Sequence, residues 1–121
     1  MEAFTRDLRD FLKFDLDEAA LDAMEWRDYG KGVELAKLEK GAEASLVLYR
    51  VADGAPRDGF ARHRHPGGEA YLVLKGTIAD EFGTYEAGSL VWLPPDSTHT
   101  PWAEGDTVVL VLWPRGVKLA D

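Results

Sequence analysis

From Val33 onward the chain consists of short runs rich in Val, Leu, Tyr and Trp, separated by Gly, Pro and Asp. Turn signals recur about every ten residues, as an antiparallel sandwich or barrel requires. No helical period separates the runs, so the crossover helices of a parallel sheet are not expected. The pattern predicts an all-β fold whose strands are Val33–Leu38, Ser45–Val51, Glu69–Lys75, Thr77–Phe82, Leu90–Leu93 and Thr107–Leu112. Turns are predicted at Lys40-Gly41, Asp53-Gly54, Lys75-Gly76, Phe82-Gly83 and Pro94-Pro95-Asp96.

The first 32 residues follow a different pattern, which favours helices. The segment from Glu2 to Phe14 spaces its apolar residues for one face of an amphipathic helix: Phe4, Leu8, Phe11 and Leu12. Asp17 is suited to cap a second short helix, whose first turn carries Glu18. Its buried side would consist of Leu21 and Met24. We therefore predict a helical arm over residues 1–32 and one barrel domain over residues 33–121, because 121 residues suit a single hydrophobic core.

Charge and hydropathy exclude two classes of partner. The formal net charge of -8 repels nucleic-acid phosphates and anionic lipid surfaces. The longest apolar run, Val108 to Trp113, is far shorter than the roughly 20 residues that cross a bilayer. The amino terminus also lacks the pattern of a signal peptide. We expect a cytoplasmic protein that binds neither nucleic acid nor membranes.

The absence of cysteine limits the chemistry that the chain can perform. It removes disulfides, thiolate nucleophiles and cysteine-based zinc or iron–sulfur sites. A metal ion would have to be held by carboxylates and by the three histidines, which are His63, His65 and His99.

These histidines occur in a pattern that suits a metal site. In an extended strand, His63 and His65 project from the same face, whereas Arg62 and Arg64 point to the other face. Pro66-Gly67-Gly68 then turns the chain and returns a carboxylate, Glu69, beside the pair. His99 follows the predicted Pro94-Pro95-Asp96 turn and could face the first two histidines from a paired strand. Two or three imidazoles with one carboxylate are a preferred ligand set of divalent first-row metals.

The spacing of these residues resembles the two sequence motifs of the cupins. The first motif is matched by His63, His65, Glu69 and Gly76, and the second by Gly88, Pro94 and His99. The resemblance extends over residues 33–114, and residues 80–88 look like the short hairpin between the motifs of the ChrR-like cupins. That subset includes the carboxy-terminal domains of zinc-dependent anti-sigma factors and, more loosely, small diketone-cleaving dioxygenases.

The resemblance implies a double-stranded β-helix, or jelly-roll barrel, in which His63, His65, Glu69 and His99 bind the metal. It also suggests a homodimer, which agrees with strands such as Val108–Leu112 that are apolar on both faces. Residues 1–32 contain neither Cys nor His. We therefore do not expect there the zinc-binding helical domain through which, by the resemblance, anti-sigma factors bind their sigma partner.

The four ligands are compatible with several functions. Zinc favours four tetrahedral ligands and would be saturated by them, which suits a sensor. Iron(II), manganese(II) or nickel(II) in six-fold geometry would keep positions for a small molecule and oxygen. Our leading hypothesis is a non-haem metal-dependent dioxygenase or related oxidoreductase. The alternatives are a non-catalytic zinc-binding ligand or redox sensor and a metal-dependent sugar isomerase or epimerase. No catalytic residue beyond the metal ligands can be named from the sequence.

Strand parity gives one indication of the pocket walls. Tyr71 and Val73 share the parity of Glu69, so they should face the interior and favour a small, largely apolar ligand. For Trp92, Trp102 and Trp113, core packing and pocket lining both remain open.

Overall fold

Two antiparallel sheets account for most of the secondary structure in the computed structural model of the chain, which describes residues 4–7, 16–41 and 44–119. The all-β prediction is therefore confirmed. In chain order the elements are β1 (Phe4–Asp7), α1 (Glu18–Asp22), β2 (Arg27–Gly30), β3 (Val33–Lys40), β4 (Ser45–Val51), β5 (His63–His65), β6 (Glu69–Asp80), β7 (Gly83–Glu86), β8 (Ser89–Leu93), β9 (Ser97–His99), β10 (Trp102–Trp113) and β11 (Lys118–Leu119). A single 3-10 turn, Arg57–Gly59, lies between β4 and β5.

The larger sheet has the strand order β1-β8-β6-β10-β4-β3-β2, with β7 paired to β6, and the smaller sheet has the order β11-β5-β9. This architecture is a jelly roll. Apolar residues alternate along the strands of the larger sheet, so one face of that sheet is buried. The main core consists of residues from this face, including Val33, Leu35, Val47, Val73, Val91, Leu93, Val109 and Val111.

The short helix α1 covers a second, smaller core on the outer face of the larger sheet. As predicted, Asp17 caps α1, because its side chain accepts a hydrogen bond from the amide of Ala20. Leu21 is buried against Leu48 and Val108, and Met24 packs at the edge of this cluster. Within the described residues, no helix has both the length and the apolar character needed to cross a membrane.

The predicted helix from Glu2 to Phe14 is wrong for its first part. Phe4–Asp7 forms β1, which pairs with β8 at one edge of the larger sheet, and residues 8–15 lie outside the described residues. The hydrogen-bonding groups of an available sheet edge override a local helical pattern, which is only a weak preference. In the same predicted arm, Arg27–Gly30 pairs with β3 at the opposite edge.

The turn predicted at Lys75-Gly76 is also wrong. Strand β6 runs without interruption from Glu69 to Asp80, and Gly76 lies at a β-bulge opposite β10. Gly76 has a φ of +79°, and a Cβ atom there would lie 2.2 Å from the carbonyl oxygen of Asp106. Glycine in a strand pattern signals a bulge as well as a turn, and the long partner strand β10 decides between the two.

The bulge changes which residues face the interior. Before Gly76 the inward residues of β6 have odd numbers, such as Tyr71, and after it Ile78 lines the same cavity. One extra residue in a strand shifts the two-residue alternation by one position. Asp80 therefore points to the interior, which brings it to the candidate site described below.

Candidate metal centre

The smaller sheet brings the three histidines together. His63 and His65 lie on β5 with the alternation predicted from the sequence, and His65 is completely buried. Strand β9 pairs antiparallel to β5 with His99 directly opposite His63. The turn at residues 66–67 then leads into β6, whose first residue is Glu69.

The side chains of His63, His65, Glu69 and His99 converge on one point. Each offers one ligand atom, and these four atoms lie within 4.8 Å of one another. The Nε2 atoms of His63 and His99 are 3.0 Å apart, and the Nε2 atom of His65 is 3.0 Å from Oε2 of Glu69. His99 and Glu69 are only 1% and 5% exposed, so this concentration of polar atoms is largely shielded from bulk water.

The Nδ1 atom of each imidazole, on the side of the ring away from the cluster, lies within hydrogen-bond distance of a protein oxygen. His63 Nδ1 lies 2.9 Å from the carbonyl oxygen of Ala61, and His99 Nδ1 lies 2.9 Å from Oδ2 of Asp80. His65 Nδ1 lies 3.0 Å from the hydroxyl oxygen of Ser97. A partner at Nδ1 sets both the orientation and the tautomer of an imidazole that binds metal through Nε2.

These partners indicate which atoms carry lone pairs. A carbonyl oxygen and a carboxylate only accept hydrogen bonds, so the Nδ1 atoms of His63 and His99 must be the donors. In their neutral forms, both rings therefore point an Nε2 lone pair toward the other across 3.0 Å. His65 Nε2 lies close to Glu69, but not in hydrogen-bond geometry, and it is buried without a hydrogen-bond partner. Facing lone pairs beside a carboxylate repel one another unless a cation lies between them, so this donor set fits a divalent metal ion.

Electrostatics keep the ligand atoms in the states that bind metal. Burial lowers the pKa of His63, which favours the neutral imidazole. Burial alone would raise the pKa of Glu69, but the adjacent imidazoles of His65 and His99 and the hydrogen bond from Trp113 outweigh it and lower that pKa. Trp113 contributes by donating its indole N–H to Oε2 of Glu69. The site therefore combines a neutral imidazole with an ionised carboxylate.

The lowered pKa of His63 predicts how the metal-free protein responds to acid. As the pH falls below about 6.5, the unfolded chain protonates this histidine more readily than the folded chain, so the free energy of unfolding should fall. Glu69 contributes in a separate, lower window, since its pKa lies below 4.5. We expect thermal unfolding of the metal-free protein to show a lower midpoint at pH 5.5 than at pH 7.5. The variant His63→Asn should show a smaller difference, and an equal difference in both proteins would contradict the assignment.

A cavity of about 330 Å³ adjoins the four side chains. His63, Glu69 and His99 form part of its wall, whereas His65 does not. Tyr71 lines the cavity, in agreement with the parity argument, and Val73 is buried in the core. The remaining lining residues are mostly aromatic or aliphatic: Tyr29, Tyr49, Gly59, Phe60, Ala61, Ile78, Pro101, Val109, Val111, Trp113, Val117 and Leu119.

The three tryptophans in question have different environments. Trp113 lines the cavity and contacts Glu69, as described above. Trp92 is partly buried, and its ring would be within 2.5 Å of a Cβ atom at Gly68. Trp102 lies under the guanidinium of Arg57, at 4.9 Å from the ring centroid. Only Trp113, among the described residues of this group, belongs to the site.

Three residues that hold the ligands in place were not predicted from the sequence. Asp80 and Ser97 fix two of the imidazoles, and Trp113 fixes the carboxylate. Asp80 also accepts hydrogen bonds through Oδ1 from the amides of Phe82 and Gly83, so it closes the hairpin between β6 and β7. For Asp80, the sequence signal was Gly76. A bulge at this glycine shifts the inward and outward alternation of the residues that follow it, and so turns Asp80 toward the interior.

The neighbouring charged residues have the structural roles expected from the sequence. Asp96 lies in the turn before β9, with a φ of +66°. Its carboxylate pairs with the guanidinium of Arg64, which projects away from the histidines. Neither residue belongs to the cluster of ligand atoms.

Comparison with known proteins agrees with this fold and identifies the family. The family model described as "ChrR Cupin-like domain" matches residues 18–117. Anti-sigma-E factor ChrR of Cereibacter sphaeroides is 36% identical over 84 residues, which are 69% of this chain and 38% of that protein. The chain thus spans well under half the length of this curated relative.

Solved structures show the same architecture. The crystal structure of Rhodobacter sphaeroides SigE in complex with the anti-sigma ChrR matches with a TM-score of 0.66 and 34% identity, covering 77% of this chain and 51% of the matched chain. A putative acetylacetone dioxygenase from Methylibium petroleiphilum matches with a TM-score of 0.71, covering 91% of this chain and 84% of the other. At 15% identity, the second likeness shows a common fold alone. The sequence motifs, the jelly roll and the family match agree: this chain belongs to the family of ChrR cupin-like domains.

Proposed function

We propose that His63, His65, Glu69 and His99 hold a divalent metal ion, and that the chain acts on a small molecule as a metal-dependent dioxygenase. One observation carries this proposal: three imidazole nitrogens and a carboxylate face one buried point at the wall of a 330 Å³ cavity. Small-molecule sites in proteins have volumes of roughly 300–1,000 Å³ and mostly apolar linings, so the cavity is of a suitable size and character.

The metal would supply the chemistry. Iron(II), manganese(II) or nickel(II), held by His63, His65, Glu69 and His99, would activate a substrate and oxygen at the wall of the cavity. The reaction that balances without an external reductant is oxidative cleavage of a carbon–carbon bond, in which both atoms of O2 enter the products and the substrate supplies all four electrons.

The chain's own residues would hold the imidazole ligands in the orientation that binds metal and exclude water from the cavity. Ala61, Ser97 and Asp80 fix the imidazoles before metal arrives, so the site needs little reorganisation. The aromatic and aliphatic lining of the cavity keeps water from the reacting groups.

Anaerobic purification followed by metal analysis tests the proposal. We expect about one equivalent of a redox-active divalent metal per chain, and oxygen uptake that depends on an added substrate. A substrate screen in an oxygen electrode provides the second measurement, with the metal-free protein as the control. Stoichiometric iron(II) without oxygen uptake for any compound that binds in the cavity would argue against a dioxygenase.

The second candidate is a non-catalytic domain that binds zinc and senses either a small ligand or the redox state. One finding favours it. The curated relative at 36% identity is an anti-sigma factor, whereas the dioxygenase-like structures reach only 15–17%. In this case the barrel would signal to a partner protein. Tightly held zinc in a tetrahedral environment, with no turnover, would support the sensor. A sugar isomerase is less well supported, because the lining offers few polar groups for the hydroxyls of a sugar.

The proposal includes association of two copies into a homodimer. On the outer face of the larger sheet, Leu72 and Leu110 pair across β6 and β10 and are partly exposed, and Leu112 is 39% exposed. Exposed apolar side chains on adjacent strands favour burial against a second copy. Sedimentation equilibrium should give twice the 13.4 kDa chain mass, and a single species of 13.4 kDa would refute the dimer.

A further inference from the structure

The wall of the cavity away from the histidines is aromatic and aliphatic. Phe60 packs edge-on against Tyr49, with ring centroids 5.2 Å apart, and Trp113 packs against Tyr49 at 5.8 Å. Val109 and Val111 of β10 contribute to the same wall. Such a surface gains free energy by covering an apolar molecule and loses it by desolvating a polar one.

The charges around the cavity limit its ligand further. Among the described residues that line it, none is Lys or Arg, and the ionisable groups other than tyrosine are His63, His99 and Glu69. These three belong to the proposed metal centre. A phosphate or a second carboxylate on the body of a ligand would therefore be buried without a partner, which is strongly unfavourable.

One polar group in the wall has no partner. Tyr71 is only 3% exposed, and its hydroxyl is buried without a hydrogen bond to any described residue. Its ring packs edge-on against Tyr85, so the side chain is fixed in place. A buried hydroxyl without a partner is costly and uncommon in folded proteins, and it calls for an acceptor that is supplied from elsewhere. Tyr71 lines the cavity, and it lies two residues after Glu69 on β6, so its side chain projects from the same face of the strand as the Glu69 carboxylate.

We propose that the cavity binds a small molecule with an oxygen-bearing metal-binding end and an uncharged, apolar body, and that the Tyr71 hydroxyl donates a hydrogen bond to this oxygen-bearing end. Hydrophobic carbonyl, enol and phenol compounds fit this description. Sugars, sugar phosphates and dicarboxylates do not fit it. The inference rests on the proposed metal centre, and it adds the class of ligand and the residue that orients it.

Three hydroxamates that share one metal-binding group provide the test. The full chain is loaded with nickel(II), and binding is measured by calorimetry without oxygen so that no turnover accompanies binding. The nickel content is checked before and after titration. Acetohydroxamate reports an open position at the metal, benzohydroxamate adds an apolar body, and 4-carboxybenzohydroxamate adds a charge to that body. We expect benzohydroxamate to bind at least tenfold more tightly than either of the others.

Two variants assign the preference to the cavity. Phe60→Ala should reduce the preference for benzohydroxamate over acetohydroxamate several-fold, whereas Phe82→Ala should leave it unchanged. Phe82 is the matched control, since it is 45% exposed in a turn and does not line the cavity. Tyr71→Phe should weaken the binding of both ligands about tenfold, a typical effect for one lost hydrogen bond. It should leave the thermal midpoint of the ligand-free protein unchanged or raised, because it removes a hydroxyl that has no partner.

The outcomes separate this inference from the proposed function. If acetohydroxamate binds but 4-carboxybenzohydroxamate binds as tightly as benzohydroxamate, the ligand class is wrong and the open metal position stands. If nickel is retained and no hydroxamate binds, the open position itself is wrong, and the inference falls with it. Unchanged affinity in Tyr71→Phe would show that the hydroxyl has no role in binding. A lowered midpoint of the ligand-free variant would show that the hydroxyl already has a partner in the protein, which would remove the reason to assign it to a ligand.

Discussion

Replacing His65 by Ala should remove nearly all bound metal from the protein. The imidazole of His65 is completely buried, and its Nε2 atom has no hydrogen-bond partner, so no water or neighbouring side chain is placed to replace it as a ligand. Loss of one of four ligands leaves an incomplete set, and we expect metal affinity to fall by more than about 100-fold. Elemental analysis after dialysis against a weak chelator measures this directly. Far-UV circular dichroism establishes whether the variant is folded.

Two further variants make the His65 result specific. Glu69→Gln preserves the shape of a ligand and removes its charge, so it should also lose metal while disturbing packing less. Arg64→Ala is the matched control from the same strand, because its side chain pairs with Asp96 and projects away from the cluster. Metal content should be unchanged in Arg64→Ala. Full metal content in His65→Ala would refute the ligand assignment.

Replacing Asp80 by Asn should lower metal affinity by about 10- to 100-fold without removing any ligand. The Asp80 carboxylate accepts the Nδ1 proton of His99, and it thereby leaves the lone pair of that ring on Nε2. An amide nitrogen in the same place would donate to Nδ1 instead, which would favour the tautomer with its proton on Nε2 and so weaken metal binding. The other oxygen, which accepts from the amides of Phe82 and Gly83, can be retained by Asn. The hairpin should therefore survive.

Competition with a chromophoric chelator would measure the affinity of Asp80→Asn. Asp96→Asn is the control for the chemical change, since Asp96 is an exposed turn residue whose positive φ is one that Asn also adopts. If Asp80→Ala loses more metal affinity than Asp80→Asn, the additional loss measures the contribution of Asp80 to the hairpin. The loss in Asp80→Asn then measures its effect on the His99 tautomer. Equal metal affinity in the parent protein and Asp80→Asn would show that Asp80 only closes the turn.

Much of the fold and of the candidate site could be predicted because the relevant signals are local. Strand alternation places His63 and His65 on one face whatever partner the strand has, and the following turn returns Glu69 within a few residues. The spacing from Gly88 to His99 likewise made the resemblance to the cupins specific. The Asp17 cap of α1 is equally local, because it needs only one side chain and the first turn of a helix.

The wrong predictions concern segments whose structure depends on distant partners. Phe4–Asp7 has a helical pattern but pairs with β8, which is more than 80 residues away along the chain. Gly76 is suited to a turn or to a bulge, and the choice depends on whether β10 continues past it. Neither partner can be identified from a window of local sequence.

The sequence by itself determined the all-β class, the strand that presents the two neighbouring histidines, and the ligand types available to a metal. These depend on residue type and short-range alternation, which hold in any tertiary context. Only the tertiary structure decided that Asp80, Ser97 and Trp113 support the ligands, and that a cavity with an unpartnered Tyr71 hydroxyl adjoins them. The physical reason is that each of these features results from contacts between strands that are far apart in the sequence, either within one sheet or between the two sheets. Such contacts depend on register, and a single bulge at Gly76 is enough to change it.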